Sequence, residues 1–419
     1  MKQINTRNIQ PCSVTVPGSK SLSHRMVICA ALANGQSVVD NLLKSEDIEL
    51  TLKTLCHMGA SVTETGNNSV TIDGFNGQPG PFSDPIYLGN SGTSMRLLAG
   101  IAALGESAYI LTGDERMNQR PMDALLASLR MVDVDAVSVN GNGCPPVSIK
   151  GGNRRGGLVT LDCSTSSQYL SAMLMMGAVL RNGLHITLSG PPVSAPYIDL
   201  TLDIMKRFQV TAQRITETQF RVPGGQEYVP GHFVVEPDLS NASYFWAAGA
   251  ISGNPVKVTG VTRSSLQGDL AFVDILGLMG CRVAVDEDGI AVSGGKLTAI
   301  DVDMGRCPDV VPTLAVVAAF ARGTTRITNI AHLREKECDR IDAVVSQLRK
   351  MGVTAEQGDD WLSVTGGTPH GATIETFNDH RIAMAFGVAG LEVENVIIEN
   401  ESCVGKSFPT FWEVFETLI

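Results

Sequence analysis

No stretch of this 419-residue chain is apolar for long enough to cross a bilayer. The longest such runs, near residues 310–321 and 97–104, fall well short. The opening Met1-Lys2-Gln3-Ile4-Asn5 has no apolar core of the signal-peptide kind, so the expected location is cytoplasmic. Positive charge is the scarcer sign: 32 Lys and Arg stand against 43 Asp and Glu, a net charge of −11. That balance argues against a nucleic-acid or anionic-membrane partner, which would favour a basic surface. The nine cysteines are scattered with no CxxC pair, which fits a reducing compartment and free, mostly buried thiols. Among seven histidines there is no HExxH, so no metal is expected. A GxxxxGK[ST] loop is missing too, which leaves nucleotide-driven transfer without support.

With 43% hydrophobic and 18% charged residues the chain is globular, and it is long enough for two or three substantial cores. One ordered pattern recurs about every 70 residues. An almost wholly apolar helix is followed by a strand, a second and more charged helix, and two alternating strands. The apolar helices are predicted over 21–33, 94–103, 166–180, 240–250, 309–321 and 379–389. The second helices are predicted over 46–58, 122–131, 198–208, 269–279, 338–351 and 411–418. Glycine after five of the first helices (Gly35, Gly105, Gly183, Gly253, Gly323) fits a left-handed C′ position. Helices apolar all round belong inside, and those carrying Glu46, Glu49 and Lys53 belong outside. Six βαβαββ units exceed one comfortable core, so two globular halves of three units are expected. The halves are predicted as residues 19–236 and as 1–18 with 237–419. The segment before Lys20 has no unit of its own and should supply a strand to the last, incomplete one.

Inner helices lying side by side would bring their N-termini to one end of each half. Two such ends facing each other would line a cleft with positive helix dipoles. The residues at these starts are Lys20, Ser21 and Arg25; Asn90, Gly92, Thr93 and Arg96; Ser166, Ser167 and Gln168; Asp238, Ser240 and Asn241; Asp309; and Asn378, Asp379, His380 and Arg381. Capping accounts for the Ser, Thr, Asn and Asp. It does not account for Arg25, Arg96 and Arg381, cations placed against the dipole, whereas a bound anion would. Further basic residues stand in the loops 113–121, 334–340 and 405–407, and their guanidinium forks suit phosphate and carboxylate.

These strings resemble the 5-enolpyruvylshikimate-3-phosphate synthase family over essentially the whole chain. They are PGSKSLSHR (17–25), LGNSGTSMR (88–96), DERMNQRPM (114–122), STSSQYL (164–170), VSAPYIDLT (193–201), PDLSNASYF (237–245), REKECDR (334–340), NDHRIAM (378–384) and GKSFP (405–409). The resemblance implies an α/β protein of two domains, each an inside-out α/β barrel of three repeats, with the active site in the interdomain cleft. It implies transfer of the enolpyruvyl group of phosphoenolpyruvate to shikimate 3-phosphate, a step of the shikimate pathway towards chorismate and the aromatic amino acids. It implies no cofactor; a monomer is expected.

The resemblance also implies roles. Shikimate 3-phosphate would lie against Lys20, Ser21, Arg25, Ser166, Ser167, Gln168, Ser194, Tyr197, Asp309 and Lys336. Phosphoenolpyruvate would lie against Lys20, Asn90, Gly92, Arg120, Gln168, Arg340, His380, Arg381 and Lys406. Asp309 would be the base at the 5-hydroxyl, Glu337 the proton donor to the methylene carbon, and Lys20 a third catalytic group. Two positions depart from the pattern. His332 stands where many members carry a substrate-contacting Asn, and Leu97 where many carry Pro. Gly92 is retained, as in glyphosate-sensitive members. The alternatives are a UDP-N-acetylglucosamine enolpyruvyl transferase and an inactive two-lobed anion binder. Against the first, the position of its usual reactive Cys is Glu115 here and the loop holds no cysteine. Against the second stands the Asp309 and Glu337 pair.

Overall fold

The computed structural model describes residues 1–6, 9–153 and 155–418. The chain divides into two compact units, residues 18–235 and residues 1–17 with 236–419. Among the described residues no helix is long and apolar enough to cross a membrane.

The 18–235 unit is built from three copies of one layered motif. Its inner helices, Lys20–Leu32, Gly92–Ala102 and Gln168–Gly177, are buried on nearly every face. Their residues are apolar all round because no face meets water. The outer helices Glu46–His57, Asp123–Arg130 and Pro196–Arg207 bury one stripe only. Each copy has a four-stranded sheet. In the second, Tyr109–Thr112 pairs in parallel with Ile86–Tyr87 and antiparallel with Val147–Lys150, beyond which lies Asp135–Ser138. The first sheet closes the ring: its parallel neighbour to Gln36–Asp40 is His232–Val234, from the far end of the unit.

The other unit repeats the plan with inner helices Leu239–Ser252, Val311–Ala318 and His380–Ala389. Its N-terminal segment does more than expected. Lys2–Gln3 does join the last sheet, antiparallel to Ile397–Ile398. In addition Cys12–Val14 is the parallel neighbour of Val256–Thr259. In the 18–235 unit the edge of the first sheet is filled by the strand from the unit's far end, and in the other unit by a strand of the N-terminal segment, with residues 18–235 inserted between that strand and its repeat. Such pairing is long-range, so no local pattern announces it.

Four helices begin two residues later than predicted, at Gln168, Ala271, Val311 and Arg340. Asp309 lies in the 3-10 turn Pro308–Val310, and the helix begins at Val311, with Pro312 placed where a missing N–H costs nothing. Asp269 likewise lies in a turn, Gly268–Leu270, before the helix Ala271–Leu278. One expected glycine role also fails. Gly183 and Gly253 are left-handed (φ 63° and 82°) and Gly35 and Gly323 have positive φ, but Gly105 does not. At Gly105 the constraint is space, since a Cβ would stand 2.6 Å from the Tyr109 ring.

Glycine also sets how closely two inner helices approach. Gly100 lets the Gly92–Ala102 helix come so near the Gln168–Gly177 helix that a Cβ would sit 2.8 Å from the Ala172 carbonyl oxygen. That approach sets the first turns of both helices beside each other. Gly100→Val is therefore expected to destabilise the protein by about 1–3 kcal/mol, through overpacking against backbone. Urea unfolding at unchanged m-value checks it.

Candidate functional site

In the 18–235 unit the helix starts converge through a polar network. Lys20 opens the first inner helix and is 9% exposed; its Nζ lies 3.4 Å from Asp47 Oδ2. Asp47 is buried although it sits on an outer helix beside the exposed Glu46 and Glu49. Ser94 Oγ donates to the Asp47 carbonyl (3.3 Å) and is shared with Thr51 and Ser91, while Thr51 also meets His24 Nδ1 (2.9 Å). The first and second inner helices are tied together by side chains of the outer one.

Arg25 is the deepest cation of this unit, 1% exposed. Its Nε donates to Thr201 Oγ1 (2.7 Å), Nη1 to the Ser21 carbonyl (2.9 Å) and Nη2 to Ser171 Oγ (3.2 Å). Tyr197, just past the left-handed Ser194 (φ 52°), presents its ring 6.0 Å away. Every one of these partners is neutral. Burial accordingly pulls the Arg25 guanidinium down to about 10, against the favourable influence of Tyr197 and Cys29. This is a cation held without a carboxylate, the condition a bound anion relieves.

A second group is joined to the first. Gln168 takes Arg96 Nη1 on its Oε1 (2.8 Å), donates from Nε2 to Thr93 Oγ1 (2.9 Å), and has its backbone N–H capped by Ser166 Oγ (3.3 Å). Arg96 lies over the Tyr169 ring at 5.3 Å, and its Nε and Nη2 are buried with no hydrogen-bond partner among the described residues. Arg120 donates from Nη1 to Asn90, at the carbonyl (3.2 Å) and at Oδ1 (3.0 Å). Gly92 makes room for it: a Cβ there would stand 2.6 Å from Arg120 Nη2. Ser166 and Ser167 are buried at this end, Ser21 is half-buried, and Leu97 points into the core.

The 236–419 unit carries the opposite arrangement. Arg340, 2% exposed, donates from Nε to Asp379 Oδ2 (2.7 Å), from Nη1 to Asp309 Oδ1 (3.0 Å) and from Nη2 to Glu337 Oε2 (2.6 Å). Burial opposes its charge, and the three carboxylates outweigh burial, holding the guanidinium well above its ordinary value. Arg381 Nη2 donates to the other oxygen of Asp309 (2.6 Å), so Asp309 bridges two guanidinium groups. Asp379 also caps its helix, accepting the Arg381 N–H at 2.9 Å. Two consecutive non-glycine residues in the left-handed region, Phe377 (φ 51°) and Asn378 (φ 54°), deliver it there. His380 is fully buried, with Nδ1 3.7 Å from Asp379 Oδ1. Lys406, 9% exposed, ends a turn packed on the same helix.

His332 is 5% exposed. Burial, then Lys336, pull its imidazole down to about 3 against the attraction of Asp309. It is a neutral side chain at the place of the expected Asn. Lys336 itself is half-buried.

Each unit thus gathers its own expected residues. Reading the motifs missed three groups. Asp47 is hidden in an amphipathic pattern. Thr201 and Ser171 lie in or beside quoted strings but look like ordinary helix positions. Asp269, buried with Ser240 Oγ on its Oδ2, falls where a helix was expected to begin. Burial of one acid among charged residues was the signal, and it is a tertiary one.

Removal of Asp379 takes one of three carboxylates from buried Arg340 and uncaps a helix, so Asp379→Ala is expected to cost about 2–4 kcal/mol in chemical unfolding. His332 titrates lower in the fold than when unfolded, so the unfolded chain binds more protons below its ordinary value of 6.5. Stability should therefore fall as pH drops from about 6.5 towards 3, and His332→Asn should remove part of that fall, read as Tm against pH.

A family model, EPSP synthase (3-phosphoshikimate 1-carboxyvinyltransferase), matches residues 5–415. The chain is 40% identical over 424 residues to the 3-phosphoshikimate 1-carboxyvinyltransferase of Shewanella piezotolerans, covering 100% of both chains. It is 42% identical over 406 residues to that of Cronobacter sakazakii, covering 96% of this chain and 94% of the relative. Among solved structures it is similar to EPSP synthase from Acinetobacter baumannii at 30% identity and a TM-score of 0.84, covering 99% of this chain and 97% of that one. A likeness in fold extends to the enolpyruvyl transferase NikO of Streptomyces tendae, at 19% identity and a TM-score of 0.75 over 99% of this chain and 96% of that one.

Proposed function

This chain belongs to the EPSP synthase (3-phosphoshikimate 1-carboxyvinyltransferase) family, and we propose a division of its reaction between the two groups of buried charge. The protein is a transferase that moves the enolpyruvyl group of phosphoenolpyruvate to the 5-hydroxyl of shikimate 3-phosphate and releases phosphate. The alternatives, a UDP-N-acetylglucosamine transferase or an inactive anion binder, are not favoured by relatives that match end to end.

Shikimate 3-phosphate is held by Lys20, Ser21, Arg25, Ser166, Ser167, Gln168, Ser194 and Tyr197, with Asp309 and Lys336 as its contacts from the 236–419 unit. The observation that carries this is Arg25, buried among neutral partners with its charge uncompensated. Phosphoenolpyruvate takes Lys20, Asn90, Gly92, Arg120 and Gln168, together with Arg340, His380, Arg381 and Lys406. Guanidinium forks match its carboxylate and phosphate oxygens.

Glu337 gives a proton to the methylene carbon, which builds positive charge at C2. The 5-hydroxyl oxygen bonds to that carbon while Asp309 takes its proton. The tetrahedral adduct then loses the methyl proton to the base now present, the double bond re-forms, and the C2–O bond to phosphate breaks. Arg340 touches both Asp309 (3.0 Å) and Glu337 (2.6 Å) and fixes where each carboxylate points. Fixed cations around the reacting carbon stabilise the changing charge without having to reorganise. We place the enzyme in the cytoplasm as a monomer; its nine free thiols support a reducing compartment.

Phosphate release from phosphoenolpyruvate is expected only when shikimate 3-phosphate is present, and release with UDP-N-acetylglucosamine instead would sink the proposal. Lys20→Met and Glu337→Ala should each lower kcat by at least about 100-fold while far-UV circular dichroism stays that of the parent. Unaltered turnover in either removes that residue from its role.

A further inference from the structure

Besides Asp379 and Glu337, three acids stand at one end of the 236–419 unit, and their partners are unequally shared. Asp309 holds Arg340 and Arg381, and Asp238 accepts the Asn241 N–H at 2.9 Å. Asp269 has only the hydroxyl of Ser240 on Oδ2, and its Oδ1 is buried with no hydrogen-bond partner among the described residues. Its turn, Gly268–Leu270, packs on the start of the Leu239–Ser252 helix and on the Pro308–Val310 turn that carries Asp309. The charged and titratable groups facing it are Asp238 from the first of these, Asp309 and Cys307 from the second, and Arg381 from the His380–Ala389 helix. The one acid on the adjoining Ala271–Leu278 helix, Asp274, is turned to solvent on Arg263 (2.6 Å).

A buried carboxylate with one neutral hydrogen bond and another carboxylate nearby is better off protonated than charged. We propose that Asp269 is a positioning residue, a carboxylic acid kept neutral beside Asp309 and Arg381, and that its ionisation weakens the enzyme's hold on phosphoenolpyruvate. The inference rests on the assignment of phosphoenolpyruvate to Arg381. With Asp269 neutral, Arg381, paired with Asp309 (2.6 Å), keeps positive field for an anionic substrate. With the proton released to solvent, a second negative charge draws on the same guanidinium and repels the substrate. Burial, then the charge of Asp309, push the Asp269 carboxyl up to about 7 against Ser240 and Arg381, so the change falls near neutral pH.

The test compares KM for phosphoenolpyruvate at about pH 6 and about pH 8.5 in the parent enzyme and in Asp269→Asn. The substrate's own phosphate titrates in this window, so the readout is the pH effect in the parent divided by that in the variant. It is expected to be about fivefold, the scale of one partly screened charge. Ser240→Ala removes the one hydrogen bond that Asp269 receives among the described residues, and should move the parent's transition to higher pH. A protonated-carboxyl band in the infrared difference spectrum at about pH 6, absent from Asp269→Asn, reports the proton without turnover and without reliance on that variant's activity. Equal pH effects in the two enzymes, or a parent lacking the band, overturn the inference while leaving the proposed function intact. An enzyme with no turnover at any pH overturns both.

Discussion

A single buried guanidinium organises the chemistry of the 236–419 unit. Arg340 is almost wholly removed from water, which alone would make its charge costly. Three carboxylates make it tenable, and each comes from a different place: Asp309 from the turn before one inner helix, Asp379 from the cap of another, and Glu337 from one turn before Arg340 itself. An ion pair of this sort adds little net stability over apolar packing of similar volume. Its return lies in geometry. A planar fork with fixed donor directions holds three acids in set positions, and Asp309 passes the constraint on to Arg381.

The 18–235 unit meets the opposite problem with the opposite solution. Arg25 is as deeply buried as Arg340 but surrounded by hydroxyls and a carbonyl, so its charge is satisfied in hydrogen bonds and unsatisfied in sign. One unit therefore gathers carboxylates around a buried guanidinium. The other buries, in Arg25, a guanidinium whose hydrogen-bond partners are all neutral. The same repeat carries both arrangements, since the charged residues stand at the helix starts and the helix bodies are apolar.

Rigid placement of these starts depends on unglamorous contacts. Gly100 against Ala172, Gly92 against Arg120, and the serine and threonine chain from His24 to Ser91 decide where cations point. Among the described residues, three of the ten non-glycine residues with positive φ fall in the same places. Ser194, Phe377 and Asn378 all take positive φ next to residues assigned to substrate or catalysis. Surrounding packing holds these conformations, as is usual where a backbone must present a group at one angle.

Much of this was legible in the residues themselves. The apolar, uncharged runs marked the inner helices, since a helix without a polar face has nowhere to go but inside. Arg25, Arg96 and Arg381 stood out because cations near a helix start oppose its dipole. Motif order sufficed for the family and its chemistry. What only the folded chain decided were matters of long-range partnership. The strand Cys12–Val14 pairs with residues far along the chain, and Asp47 turns inward from a helix whose neighbouring acids face water. Whether an acid is an ion-pair partner like Asp309 or an isolated carboxyl like Asp269 depends on which cations reach it. A one-dimensional pattern records neither distance nor burial, and those two quantities set the charge each group carries.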